Sequence, residues 1–157
     1  MIRGYFEDHL LGSKTRTRSR TVTEADVVGF AGLSGDWHPL HTDVEYAAAG
    51  PFGERIAHGM LVLSIATGLA PLDVDTVQAF YGIDKLRFIN PTKLGDTIHV
   101  VSEVVELVPR GETSGVICSE VLIVNQRGQV VASAQFRMLV RRRGAAKQPL
   151  AVDAATA

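Results

Sequence analysis

His58-Gly59-Met60-Leu61-Val62-Leu63-Ser64-Ile65-Ala66-Thr67-Gly68-Leu69-Ala70-Pro71 reads as about three turns of helix with apolar side chains on every side. A helix that is apolar all round is a buried one, and this one falls well short of the ~20 residues a membrane span requires. The chain that follows has a different period. Phe80 to Phe88 alternates imperfectly, and Ile98, Val100 and Val104 alternate with His99 and Glu103. Val116, Cys118, Glu120, Leu122 and Val124 interleave with Ile117, Ser119, Val121 and Ile123, which marks a central strand. Val130, Ala132, Ala134, Phe136, Met138 and Val140 keep the cleanest period of two. Turn signals stand between these runs at Asn90-Pro91, Gly95-Asp96, Pro109-Arg110-Gly111 and Gln126-Arg127-Gly128. The pattern predicts an antiparallel meander of about four long strands, hence an α+β fold in which a long antiparallel sheet wraps one buried central helix.

Upstream, Tyr5 to Asp8 and the basic stretch Lys14 to Arg20 read as an arm and an edge strand. Thr23-Glu24-Ala25-Asp26 has the form of a capping box, Val27, Phe30, Ala31 and Ser34 share a face of the helix it opens, and Gly35 stands at the C-cap. Asp36 and His41 follow, five apart with Pro39 between them. A proline disfavours helix for the residue before it, so the spacing predicts a bent loop rather than a turn of helix. Such a loop can aim both side chains into one pocket, where a carboxylate beside an imidazole makes a general acid/base pair. The plain reading is that Asp36 caps a turn and His41 is a half-buried histidine. Thr42-Asp43-Val44-Glu45 repeats the capping pattern ahead of a short helix ended by Gly50-Pro51, and a glycine-rich connection, 50–57, leads to His58. At Gly59 the first amides of the buried helix lack internal partners and carry the positive end of its dipole, which suits a carbonyl oxygen that gains negative charge.

Composition sets the outer limits. The 157 residues predict one domain over 1–143, with an Ala-rich, aperiodic tail at 144–157 expected to be disordered. Lys and Arg number 16 against 17 Asp and Glu, a net charge of -1, which leaves no broad basic surface for nucleic acid. The run Arg141-Arg142-Arg143 reads as a solvated strand end. The single cysteine, Cys118, excludes an internal disulfide, reads as a core residue and fits a reducing compartment. With no apolar stretch of signal-peptide or membrane-span length, the expectation is a cytoplasmic protein with neither membrane nor nucleic acid as partner.

With these residues placed, the chain resembles the MaoC-like dehydratase family, the (R)-specific enoyl-CoA hydratases of the hot-dog fold, over roughly residues 3–141. That family's motif is a Gly/Glu-Asp-x-Asn-Pro-x-His loop followed by a His-Gly-Met that opens the central helix. Here these are Gly35-Asp36-Trp37-His38-Pro39-Leu40-His41 and His58-Gly59-Met60, with Phe88-x-x-Pro91 and Gly95-Asp96 as further matches. The resemblance implies reversible hydration of a trans-2-enoyl-CoA. Asp36 and His41 would hold the water, and the Gly59 amide would polarise the thioester carbonyl. Trp37, His38 and His58 are candidates to surround the substrate, Trp37 equally a packing residue. Ser64 and Thr67 on the helix either add a hydrogen bond to the pocket or, as helix hydroxyls more often do, bond back to their own backbone. Arg87, with Lys85, Arg55 and Lys93, is a candidate to meet the CoA phosphates, although exposed basic residues are usually only solvated. The resemblance implies no cofactor and no metal, the CoA thioester being substrate, and at least a homodimer. One departure stands out: the family's Asn is His38 here. Three other readings share these residues. Asp36, His38, His41, Asp43 and His58 are metal-ligand types, although Pro39 breaks the helical face a histidine pair commonly uses. A hot-dog thioesterase would hydrolyse the thioester instead, and a non-catalytic acyl-thioester-binding module would only hold it.

Overall fold

The computed structural model describes residues 2–145; of the expected tail at 144–157, all but the first two residues lie outside them. A 3-10 turn, Phe6–Asp8, is followed by short strands β1 (Lys14–Arg16) and β2 (Arg20–Thr21) and helix α1 (Glu24–Ser34). Two short helices, α2 (Pro39–Thr42) and α3 (Val44–Ala48), lead to α4 (Gly59–Leu69). The long strands β3 (Val77–Phe88), β4 (Thr97–Arg110), β5 (Ser114–Val124) and β6 (Val130–Arg141) complete the sheet.

The capping box closes α1 as predicted: Thr23 Oγ1 accepts from the Asp26 amide at 3.3 Å, and the Asp26 carboxylate accepts from the Thr23 amide at 2.8 Å. Gly35 ends the helix at φ 78°, a left-handed position that costs glycine nothing. This sharp exit places Asp36 at the start of the next loop.

The six-stranded sheet runs β1-β4-β5-β6-β3, with β2 also on β4. Strands β4, β5 and β6 form the predicted meander, but β3 does not join it beside β4. It pairs with β6, with Phe80, Ile83 and Phe88 opposite Met138, Phe136 and Ala132. A period of two fixes which face a residue takes and is silent on which strand lies next to which. The imperfect alternation of β3 has a cause too: its register shifts three times against β6, and Lys85 sits at φ 52°.

The inner face of the sheet closes over α4 through Ile98, Val100, Ile117, Ile123 and Phe136, against Leu61, Val62, Ile65, Ala66 and Leu69. Each fully buried isoleucine contributes about 1.5–3 kcal/mol. The expectation that α4 is covered on every side needs correction: Met60, Ser64 and Gly68, spaced four apart, form an exposed stripe. The sheet covers the rest of the helix and leaves this row of mostly small side chains open. Cys118 is in the core as expected. Arg142 and Arg143 are more than a solvated end, since they pair with Glu7 and Asp8 and fasten β6 to the N-terminal turn. No helix among the described residues is long and apolar enough to cross a membrane.

Asp96 anchors the segment between β3 and β4. It is 2 % exposed, and burial works against its charge. Arg127 donates to it at 2.8 and 2.9 Å, Gln126 at 2.8 Å and the Lys93 amide at 3.0 Å. Together these donors outweigh burial and hold the carboxyl below its ordinary range. The anchored segment in turn receives the chain ahead of α4, where the Ala57 amide donates to Thr92 O at 2.8 Å. His58 follows directly.

Candidate active site

Three separate elements bring Asp36, His41 and His58 together. Asp36 lies in the α1–α2 loop, its amide donating to Ser34 Oγ at 3.2 Å while its carboxylate accepts from the His38 amide at 3.3 Å. His41 is on α2, a single helical turn, and not in the purely bent loop that Pro39 suggested. The proline restricts the residue before it, but at N1 its missing N–H is no loss and its fixed φ suits a helix start. His38 is the N-cap of that turn, its Nδ1 accepting from the Leu40 amide at 3.1 Å. An asparagine oxygen can accept in the same way, so the histidine does the capping work of the residue it replaces. It can do so only when its ring is neutral with the proton on Nε2.

The His41 ring is oriented by one bond. Its Nδ1 lies 2.7 Å from Ile56 O, and because a carbonyl only accepts, Nδ1 carries the hydrogen. Nε2 is left with its lone pair available. Burial pushes the imidazole below its ordinary value of 6.5; the Ile56 carbonyl and the Asp36 carboxylate oppose that, while His58 and His38 add to it. The His41 imidazole is thus neutral at pH 7.

His58 is buried, its Nε2 donating to the backbone carbonyl of Asp36 at 2.9 Å. Its ring centroid lies 3.8 Å from that of His41 with the planes 31° apart, and 5.1 Å from that of Phe30. Its Nδ1 is enclosed and has no partner among the described residues. An unpaired buried polar atom costs ~1–3 kcal/mol.

These groups open into a cavity of about 460 Å³ that Gly59 also lines. Its walls are largely apolar, with Phe30, Phe52, Val62 and Phe88 prominent, and Asn90 and Thr92 on the side of the β3–β4 segment. The Gly59 amide is at the first position of α4, beyond reach of any intrahelical acceptor. Glycine is required there for crowding as well as access: a Cβ would meet the Phe88 ring at 2.8 Å. The Phe88 ring lying over the helix start, and the part Phe30 and Phe52 play in the walls, had no signature in spacing or period.

The other expected site residues do not line this cavity. Trp37 is 54 % exposed and faces Gly32 of α1. Ser64 Oγ donates to Met60 O and Thr67 Oγ1 to Ser64 O, both at 2.8 Å, so each hydroxyl bonds back into its own helix. Arg87 is exposed on β3 and donates to Leu86 O. Arg55 is held by Glu24 at 2.8 and 2.6 Å and Lys93 is paired with Glu54. Of the five metal-ligand types, Asp43 caps α3 by accepting from the Tyr46 amide, and His38 caps α2. Asp36, His41 and His58 remain, with one ligand-type atom from each within 4.8 Å of the others. Such a set can take a divalent cation; both imidazoles give one N–H to a carbonyl, an arrangement that orients a metal-ligating ring as well as one that does acid/base work.

A 100-residue stretch is 50% identical to Protein MaoC of Klebsiella aerogenes, covering 63% of this chain and 30% of that protein, so the chain spans under a third of its length. The (R)-specific enoyl-CoA hydratase of Rhodospirillum rubrum is 32% identical over 146 residues, 92% of this chain and 96% of the relative. Among solved structures, an Archaeoglobus protein described as a monoamine oxidase regulatory protein superposes with a TM-score of 0.83 at 46% identity, over 88% of this chain and 94% of its own. A Mycobacterium tuberculosis protein described as a double hotdog fold superposes at 0.79 with 24% identity, over 96% of this chain and 48% of that one, which speaks to the fold alone. Residues 8–126 match the family described as MaoC like domain, and the chain belongs to that family of hot-dog dehydratases.

Proposed function

We propose that this chain is a hydro-lyase that adds water across the double bond of a trans-2-enoyl-CoA, or removes it from the (R)-3-hydroxyacyl-CoA. One observation carries the reading: Asp36, the free Nε2 of His41 and the leading amide of α4 share an apolar-walled cavity. The name of the Rhodospirillum relative points the same way.

Hydration needs a base for the water, a proton for the α-carbon and a donor for the enolate oxygen between the two events. A water between the Asp36 carboxylate and His41 Nε2 bonds through its oxygen to the β-carbon and leaves a proton on the pair. The π electrons move onto the thioester oxygen, where the Gly59 amide and the positive end of α4 stabilise the charge. Collapse of the enolate takes a proton from the pair to the α-carbon, which restores the starting charges. The apolar walls strengthen these interactions by excluding bulk water. Of the four cations considered for the CoA phosphates, Lys85 and Arg87 on β3 are outside the ion pairs that hold Arg55 and Lys93.

The test is loss of enoyl-thioester absorbance with a panel of trans-2-enoyl-CoAs, short, medium, branched and dicarboxylic, using Asp36→Asn as control. Turnover absent from the variant is the expected result. Free CoA in place of hydration moves the reading to a thioesterase, and tight binding without turnover to a binding module. Because the mechanism needs no cofactor, turnover should survive EDTA; loss that zinc restores would overturn the metal-free scheme.

We also infer a homodimer through β3. The strand pairs only with β6 among the described residues and exposes Phe80, Tyr81 and Ile83. Phe88, at its end, lines the cavity, so a second copy would sit beside the site. Light scattering on the eluting protein should give twice the chain mass, and Ile83→Asp should give the mass of one; a parent protein of single-chain mass sinks the inference.

A further inference from the structure

His58 takes no part in the chemistry just described, yet three parts of the site meet at its ring: the Asp36 loop, His41 of α2 and Phe30 of α1. It is 2 % exposed and precedes α4 as its N-cap, but its side chain makes no capping bond. The donor at Nε2 goes instead to the Asp36 carbonyl, 22 residues back in sequence. One face of the ring lies against His41 and Phe30 closes on it from a second helix. Its Nδ1 is left enclosed without a partner among the described residues. A buried polar atom with no partner calls for an explanation, and packing supplies none, because an apolar ring would fill the space without the penalty.

Resting on the hydro-lyase reading, we propose that His58 is a positioning residue: it ties the Asp36 loop to the start of α4 and backs the His41 imidazole, so that carboxylate, Nε2 and Gly59 amide keep one spacing. Among the described residues no other side-chain hydrogen bond joins Asp36 to the start of α4. Displacement of a reacting group by about 1 Å can cost a hundredfold in rate. The ring has an electrostatic part as well. The titratable groups that face His41 are Asp36 from the loop, His38 from the cap of α2 and His58 from the start of α4. Of the two rings, that of His58 lies nearer, its centroid at 3.8 Å against 6.3 Å for His38, and a charge on either ring opposes a charge on the other. His58 therefore helps to keep His41 in the form that can act as a base.

Two variants separate the bond from the ring. His58→Phe keeps the stack and removes the donor, whereas His58→Gln keeps a donor and removes the stack. With circular dichroism and melting used to establish folding, each is expected to lower kcat by about 10- to 100-fold while KM stays within about threefold. In both, the acid limb of kcat/KM should move to higher pH, because a group that holds the His41 proton affinity down is gone. A role in packing alone would lower the melting temperature and leave that limb in place. The titration of the His41 ring, followed by NMR in the full chain and in His58→Phe, reads the same effect without turnover and should move upward in the variant. Absence of turnover in the parent would sink the hydratase reading while the NMR titration still decides the role of His58. An unmoved His41 titration, or unchanged kcat in whichever of the two variants folds, overturns the proposal.

Discussion

His41→Asn is expected to lose about 10²- to 10⁴-fold in kcat for enoyl-CoA hydration with little change in KM or melting temperature. The variant isolates one function. The asparagine amide nitrogen can reach the position of Nδ1 and keep the bond to Ile56 O, 2.7 Å in the parent, while the lone pair at Nε2 disappears. The ground-state pocket is kept and the base is removed, so the loss should fall on the chemical step; at 1.4 kcal/mol per tenfold it corresponds to about 3–5 kcal/mol of barrier. The pH profile carries a second check. Burial disfavours the imidazolium, which places the His41 proton affinity below 6.5. A base works when neutral, so kcat/KM should fall on the acid side with a midpoint below 6.5. An acid limb at or above 6.5, or a variant that keeps more than about a tenth of the parent rate, would overturn the assignment of His41 as base.

The sequence carried those features whose physics is local. The capping box at Thr23, the left-handed glycine at 35 and the strand periods of β5 and β6 are each decided by residues within a few positions of one another, and each stands in the structure as read. The convergence of Asp36 and His41 was legible for a related reason: a glycine, a proline and a capping residue leave the short stretch between α1 and α3 few courses. The helical turn at Pro39 was misread because the restriction on the residue before a proline outweighed the ease of a proline at N1. The remaining departures are long-range. That β3 lies on β6 follows from how the whole sheet closes over α4, and the exposed stripe of Met60, Ser64 and Gly68 from where that closure stops. The back-bonding of the Ser64 and Thr67 hydroxyls belongs with the local features, since a carbonyl one turn back is always within their reach and was the likelier partner from sequence.

The contact of Phe88 with Gly59 is also long-range, and it turns into the second large expected effect. Gly59→Ala should lower kcat by about 10²- to 10³-fold, the range for loss of an oxyanion donor, with the melting temperature nearly unchanged. The added Cβ would stand 2.8 to 2.9 Å from three atoms of the Phe88 ring, too close for either to stay. Phe88 is 50 % exposed and its ring is the far end of a flexible side chain, so the ring yields rather than the helix, and stability suffers little. Function suffers because the ring is a wall of the cavity at the point where the thioester carbonyl must meet the amide. Phe88→Leu in the same chain offers a smaller side chain at the end of β3 and should recover at least about tenfold of the loss, since the crowding, and not the N–H itself, was the fault. A Gly59→Ala variant with the parent rate would show that neither the displaced Phe88 ring nor the added methyl group keeps the carbonyl from the amide, since alanine retains the same N–H. A double variant no faster than Gly59→Ala would show that the methyl group itself, at the mouth of the amide, keeps the carbonyl away, and that access alone rather than the Phe88 wall makes glycine necessary at the helix start.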